Sequence, residues 1–102
     1  MIHVLATVEL VEGKRDEYIK KAQELIPKVR AEKGCLEYGI AIDIPAGHPK
    51  QVPLRNNVVT FVEKWADLKT LETHGQSPHM IAWGQENQSI VKAVTLQIMK
   101  PT

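Results

Sequence analysis

The nine residues from Ile2 to Leu10, IHVLATVEL, restrict the fold more than any other stretch of this chain. Successive side chains of an extended strand point to opposite sides, so Ile2, Val4, Ala6, Val8 and Leu10 share one face. The other face carries His3, Leu5, Thr7 and Glu9, which is not wholly polar. One side of the sheet containing this strand must therefore be buried, and the other is too apolar to sit easily in water.

The remaining pattern supplies the partners. After VEGK, the residues Tyr18, Ala22, Leu25, Ile26 and Val29 recur at steps of three and four, which predicts a helix reaching about Lys33 before Gly34 stops it. Pro27 lies inside that helix and removes a backbone donor, so a kink or an interruption near Leu25 is expected. Cys35 to Ile44 reads as a second strand, with Leu36, Tyr38, Ile40, Ile42 and Ile44 on one face. The twelve residues PAGHPKQVPLRN then hold three prolines and a glycine and have no periodicity. Loops this long in small domains are often functional or reach a neighbouring subunit, and the loop from Pro45 to Leu54 is expected to cover a pocket of its own chain or of a partner.

Asn57 to Trp65 predicts a third strand and Lys92 to Met99 a fourth. Between them Asp67 is placed to cap a short helix, LKTLETH, that Gly75 ends, and Ser77 to cap another with Pro78 at its first position, where no donor is needed. The order β-α-β-β-α-β, with the second helix in two pieces, is that of a ferredoxin-like α+β fold. Both helices then cover one face of a four-stranded antiparallel sheet. Leu5, Thr7, Ala41, Val58, Thr60, Val62, Thr95 and Met99, or the complementary set, fall on the uncovered face. A homodimer packed sheet against sheet is the simplest cover.

Size and composition exclude several function classes. A chain of 102 residues is one domain, 1–102, with room for a modest core. Thirteen basic and twelve acidic residues are scattered along it, with no basic stripe of the kind that binds nucleic acid. No apolar run approaches the roughly 20 residues of a membrane span. No charged leader with an apolar core precedes the first strand, and the single Cys35 excludes an internal disulfide, so a cytoplasmic location is expected. Cys35 reads as a small apolar residue at a strand start rather than a reactive thiol.

The candidate chemistry gathers around Leu71 to Gln85, LETHGQSPHMIAWGQ. His74 and His79 are five apart with a glycine between, whereas helical metal pairs stand three or four apart, and the neighbouring carboxylates are Glu72 and Glu86. No metal site is therefore expected. The two imidazoles suit acid/base work better, with His74 near a helix end that favours its cation and His79 in a first turn that opposes it. A hydrogen bond from His74 to a backbone carbonyl, and packing by His79, is the purely structural alternative. Met80, Trp83 and Asn87 fall on one side of the last helix, with His79 at its edge.

Period two puts Asn57, Phe61, Glu63 and Trp65 on one strand face. Phe61, Trp65, Trp83 and Met80 would make an aromatic and thioether wall suited to a flat ring, although a core uses the same residues. Glu63 is a candidate base or, pairing with Lys64 or Arg55, a structural group. Asn57 is a candidate hydrogen-bond partner for a substrate oxygen, or a strand-start residue paired through its backbone.

The segment TFVEKWADLKTLETHGQSPHM, with Glu63, Trp65, Asp67, Leu71, His74 and His79 at these spacings, resembles the antibiotic biosynthesis monooxygenase family. EKGCLEY, Glu32 to Tyr38, is similar to that family's turn after its first helix, and Ser77 to Met80 resembles its quinol monooxygenase branch. The resemblance implies a dimeric α+β barrel whose active members oxidise phenols or hydroquinones with dioxygen and no metal, flavin or haem. His74 and His79 become the expected catalytic residues, and Trp65, Trp83, Phe61, Met80, Asn57 and Glu63 the expected substrate contacts. Haem degradation, also found in the family, requires by the same resemblance an asparagine on the first strand and a ligating histidine in the last helix. Thr7 and its neighbours stand at the first of these, and Gly84 and Gln85 at the second. An isomerase working through the same histidines would need a polyol or phosphate site, for which Arg55, Lys50 and His48 are candidates. A dimeric module that binds a ligand without turnover is the third possibility.

Overall fold

A computed structural model describes residues 1–102. The elements are β1 (Ile2–Leu10), α1 (Arg15–Arg30), β2 (Cys35–Ala41), β3 (Val58–Trp65), α2 (Leu68–Gly75), α3 (Pro78–Glu86) and β4 (Val91–Met99). The four strands form one antiparallel sheet in the order β2-β3-β1-β4, with the three helices on one face. This is the ferredoxin-like α+β arrangement that the element order predicts.

The alternation of β1 is obeyed throughout. Val4, Ala6, Val8 and Leu10 are buried under the helices with Ile2, while Leu5 and Glu9 are exposed on the far side. Register carries the same division across the sheet. Leu5 faces Val62, Thr7 faces Thr60 and Thr95, and Glu9 faces Val58, so the uncovered side holds the residues expected there. Leu5, Val62 and Met99 are 37%, 39% and 40% exposed, an apolar patch with nothing in the chain above it. No helix is long and apolar enough to cross a membrane.

Two predicted elements are corrected. Helix α1 runs unbroken through Pro27. The proline leaves only the Gln23 carbonyl without its helical donor, and Gln23 is exposed, where water can take that place. Strand β2 stops at Ala41, short of Ile44, and its register shifts between Cys35 and Glu37. The shift changes the phase of the alternation, so Cys35 packs against the core while Leu36 is exposed.

The turn between α1 and β2 fixes how the helices sit. Gly34 has φ +84°, in the left-handed region, and a Cβ there would collide with the side chain of Thr70. Thr70 belongs to the start of α2, where the Asp67 carboxylate accepts from its backbone N–H and the Thr70 hydroxyl faces the Asp67 backbone. The Ala66 N–H donates to the Gly34 carbonyl at 2.8 Å. Residues 31 to 34 are thereby held against the beginning of α2.

The break between α2 and α3 forms as its residues predict. The Ser77 hydroxyl accepts from the Met80 N–H and donates to the His74 carbonyl, and Pro78 opens α3. Gly75 ends α2 without a positive φ. Loop residues 45 to 54 have no regular structure and are tied to themselves. Gln51 donates to the Ile44 carbonyl and accepts from Ala46, and Arg55 grips Asp43 through two side-chain nitrogens at 2.9 and 3.0 Å.

Candidate active site

A cavity of about 330 Å³ lies between the sheet and the helices. Its floor is Val4, Ala6 and Val8 of β1 with Phe61 and Glu63 of β3. Tyr18 of α1 and Tyr38 of β2 close one side, and Leu71 and His74 of α2 with Met80 and Trp83 of α3 close another. Val94 and Leu96 of β4 edge it; both point to the helix side through their pairing with Val8 and Ala6, yet they are 54% and 57% exposed. The cavity therefore opens along the last strand, where no helix covers the sheet.

Aromatic rings shape the inside. Tyr18 meets Phe61 edge-on at 6.3 Å and Trp83 at 5.1 Å, and Tyr38 lies 5.5 Å from Phe61. The only ionisable side chains in the lining are Tyr18, Tyr38, Glu63 and His74. Burial pushes Tyr18 up to about 12, and it pushes Tyr38 further still above its ordinary value. Both phenols stay protonated near neutrality.

Glu63 is 5% exposed, and Oε1 accepts from the Trp65 indole N–H at 2.9 Å. Its partner is thus neither Lys64, which pairs with Glu37, nor Arg55, which pairs with Asp43. Burial raises the Glu63 carboxyl above the usual carboxylate range, while the indole and the neighbouring His74 pull in the other direction. A buried carboxyl with no cation bonded to it can hold or release a proton inside the cavity.

His74 is the best-held group of the site. Its ring packs against Trp65 at 4.6 Å, tilted by 39°, and lies 5.6 Å from Tyr38. Its Nδ1 is 2.9 Å from Oε2 of Glu32, so the expected backbone carbonyl is replaced by a carboxylate. His79 Nε2 lies 2.7 Å from the same oxygen. The carboxylate fixes the His74 proton on Nδ1 and leaves Nε2 with its lone pair, the arrangement of a histidine base with an orienting acid.

The predicted site residues separate into two groups. His74, Glu63, Phe61, Met80 and Trp83 line the cavity. Trp65 is fully buried behind it, holding Glu63 and His74 in place rather than offering a surface. His79 belongs to a smaller cleft on the outer side of α3 and reaches the site only through Glu32. Asn57 lies outside the cavity, in a polar cleft with Thr7, Glu9 and Arg55, and its carbonyl accepts from the Leu10 N–H. The phase of β3 is right for Asn57, but the strand begins one residue later, at Val58, beyond the reach of the helix layer. Arg55, Lys50 and His48 are likewise absent from the cavity lining.

Residues passed over by the sequence reading include Glu32, Tyr18 and Tyr38. Tyr18 and Tyr38 show only as apolar positions of a helix and a strand. Glu32 stands in the EKGCLEY turn, and its role depends on a pairing across 42 residues that no local pattern reveals. Cys35 is a free thiol that burial raises above its ordinary value, as fits a packing residue.

Comparison with known proteins gives the family and the fold. A family model described as antibiotic biosynthesis monooxygenase matches residues 1–86. The chain is 28% identical to a protein of Escherichia coli K12 named probable quinol monooxygenase YgiN, over 99% of this chain and 98% of that one. Among solved structures, PA3566 from Pseudomonas aeruginosa superposes with a TM-score of 0.80 at 21% identity, covering 99% of this chain and 93% of that one. Rv0793 from Mycobacterium tuberculosis gives 0.79 at 19% identity, covering 99% and 94%.

Proposed function

The chain belongs to the antibiotic biosynthesis monooxygenase family, and from that premise we propose that it oxidises a small aromatic quinol with dioxygen, needing no resident cofactor. The observation that carries this reading is the state of His74: one ring nitrogen is tied to Glu32 while the ring lines a largely apolar, aromatic cavity. Nε2 of His74 takes a phenolic proton from the bound quinol. The phenolate gives up an electron to dioxygen far more readily than the phenol does. The semiquinone and superoxide so formed combine into a C–O bond, and loss of water from that hydroperoxide leaves a hydroxyquinone. Quinol plus dioxygen becomes hydroxyquinone plus water, with four electrons passing from the ring to the two oxygen atoms.

Each lining group has a part. Trp83, Phe61 and Met80 pack on the flat ring and keep water from the radical pair. Glu63 stands ready to return a proton to the leaving oxygen. An isomerase of a phosphorylated or polyol substrate is poorly served, because no lysine or arginine lines the cavity.

We propose also that the protein works as a homodimer joined through the open sheet face, since Leu5, Val62 and Met99 stand exposed on it. Oxygen consumption with reduced menadione tests the activity, and product mass after reaction under ¹⁸O₂ tests the oxygenation. One labelled atom per quinone is expected. Consumption no faster than the uncatalysed rate, across several quinols, would refute the reading.

A further inference from the structure

Glu32, His74 and His79 come from three different elements, yet one ligand atom of each lies within 4.8 Å of the others. We propose that these three residues form a binding site for a divalent transition-metal ion, of which Zn²⁺ is the probe. The atoms concerned are Oε2 of Glu32, Nδ1 of His74 and Nε2 of His79. Two imidazoles and one carboxylate are a donor set that such ions take, with further positions left for water or substrate.

The geometry is close to what an ion requires. A tetrahedral ion at about 2.0–2.1 Å from its ligands sets them roughly 3.3 Å apart. The two nitrogen to oxygen separations, 2.9 and 2.7 Å, are slightly shorter, as expected where hydrogen bonds now join the same atoms. Small torsions of Glu32 and His79 open the triangle, while His74 stays clamped by Trp65 and by the Ser77 hydroxyl on its carbonyl.

The cluster is also reachable. Side-chain exposures of 7% for His74, 14% for Glu32 and 25% for His79 grade from the cavity outward. His79 lines a half-open cleft of about 120 Å³ that also has Glu24 and Glu86 on its walls, opposed by Lys21 and Lys28. The inner carboxylate supplies a charge to match the cation.

Occupation has a chemical consequence that rests on the quinol reading. An ion on Nδ1 of His74 displaces the ring proton to Nε2, the nitrogen assigned to the base. The bound ion therefore silences the site.

Isothermal titration of chelator-treated protein with Zn²⁺, without any quinol, tests the site by itself. One Zn²⁺ per chain is expected, weakened at least tenfold in Glu32→Gln and in His79→Ala and unchanged in His48→Ala, with circular dichroism confirming that each variant is folded. On the unmutated chain, ¹H–¹⁵N spectra of the imidazoles should place Zn²⁺ on Nδ1 of His74 and Nε2 of His79. No uptake of Zn²⁺, or uptake on His3 or His48 instead, overturns the proposal. Binding that is absent while quinol oxidation persists removes the metal site alone; binding present with no oxidation of any quinol removes the oxidase reading alone.

Discussion

Nδ1 of His74 lies 2.9 Å from Oε2 of Glu32, joining the end of α2 to the turn after α1 across 42 residues of sequence. The contact sets the tautomer of the imidazole. It also explains why a turn remote from the cavity in sequence can govern what happens inside it.

Replacing Glu32 by Gln preserves the shape but removes the negative acceptor, and an amide can present its NH₂ to Nδ1 and reverse the tautomer. The expected result is a fall in kcat for quinol oxidation of about 10–100-fold with a smaller change in KM, the usual scale for groups that orient a functional histidine. Oxygen-electrode kinetics on the folded variant measure it.

Glu63 makes stability depend on pH in a definite direction. Its folded carboxyl titrates above the ordinary value of 4.5 because of burial, so between those two values the unfolded chain has released a proton that the folded chain keeps. The unfolded state then binds fewer protons, and stability falls as pH rises through this window. Glu63→Gln should flatten that slope and still accept from the Trp65 indole through its amide oxygen. Urea unfolding from pH 4 to 8 reads the difference.

Two glycines predict opposite outcomes for the same substitution. At Gly34 the positive φ and the Thr70 side chain both oppose a Cβ, so Gly34→Ala should destabilise by about 2–4 kcal/mol and loosen the seat of Glu32. At Gly84, inside α3, a Cβ meets nothing within 4 Å, and Gly84→Ala should gain up to about 1 kcal/mol from helix propensity. Thermal melts of the two variants separate them.

Much of the fold can be read from the sequence because its signals are local. The alternation of β1, the Ser77-Pro78 start of α3 and the Asp67 cap each act within a few residues, and each forms as expected. The register shift at Cys35 to Glu37 depends on pairing with Lys64 and Trp65 of another strand, and it reverses the outlook of Leu36. The site divides in the same way. Phe61, Met80 and Trp83 follow from strand and helix periodicity and His74 from its imidazole at a helix break, whereas Glu32 and the displacement of Asn57 follow only from how elements meet. Five-residue spacing argued against a metal pair on one helix; a carboxylate from a third element changes that argument.

The open sheet face yields a test independent of chemistry. Val62 and Leu5 face each other near its centre, so Val62→Lys should leave the fold of the monomer intact and raise the dimer dissociation constant by at least 100-fold. Sedimentation equilibrium at micromolar concentration follows this, and a wild-type monomer there would refute the dimer.

The central claim is that Nε2 of His74 removes the phenolic proton of a quinol held in the cavity. The most direct measurement is the initial rate of oxygen uptake with reduced menadione for the wild type and for His74→Ala, each verified as folded. The account predicts catalysed uptake by the wild type and a loss of 10²-fold or more in the variant, about the contribution of a positioned base. Equal rates in the two proteins would contradict it.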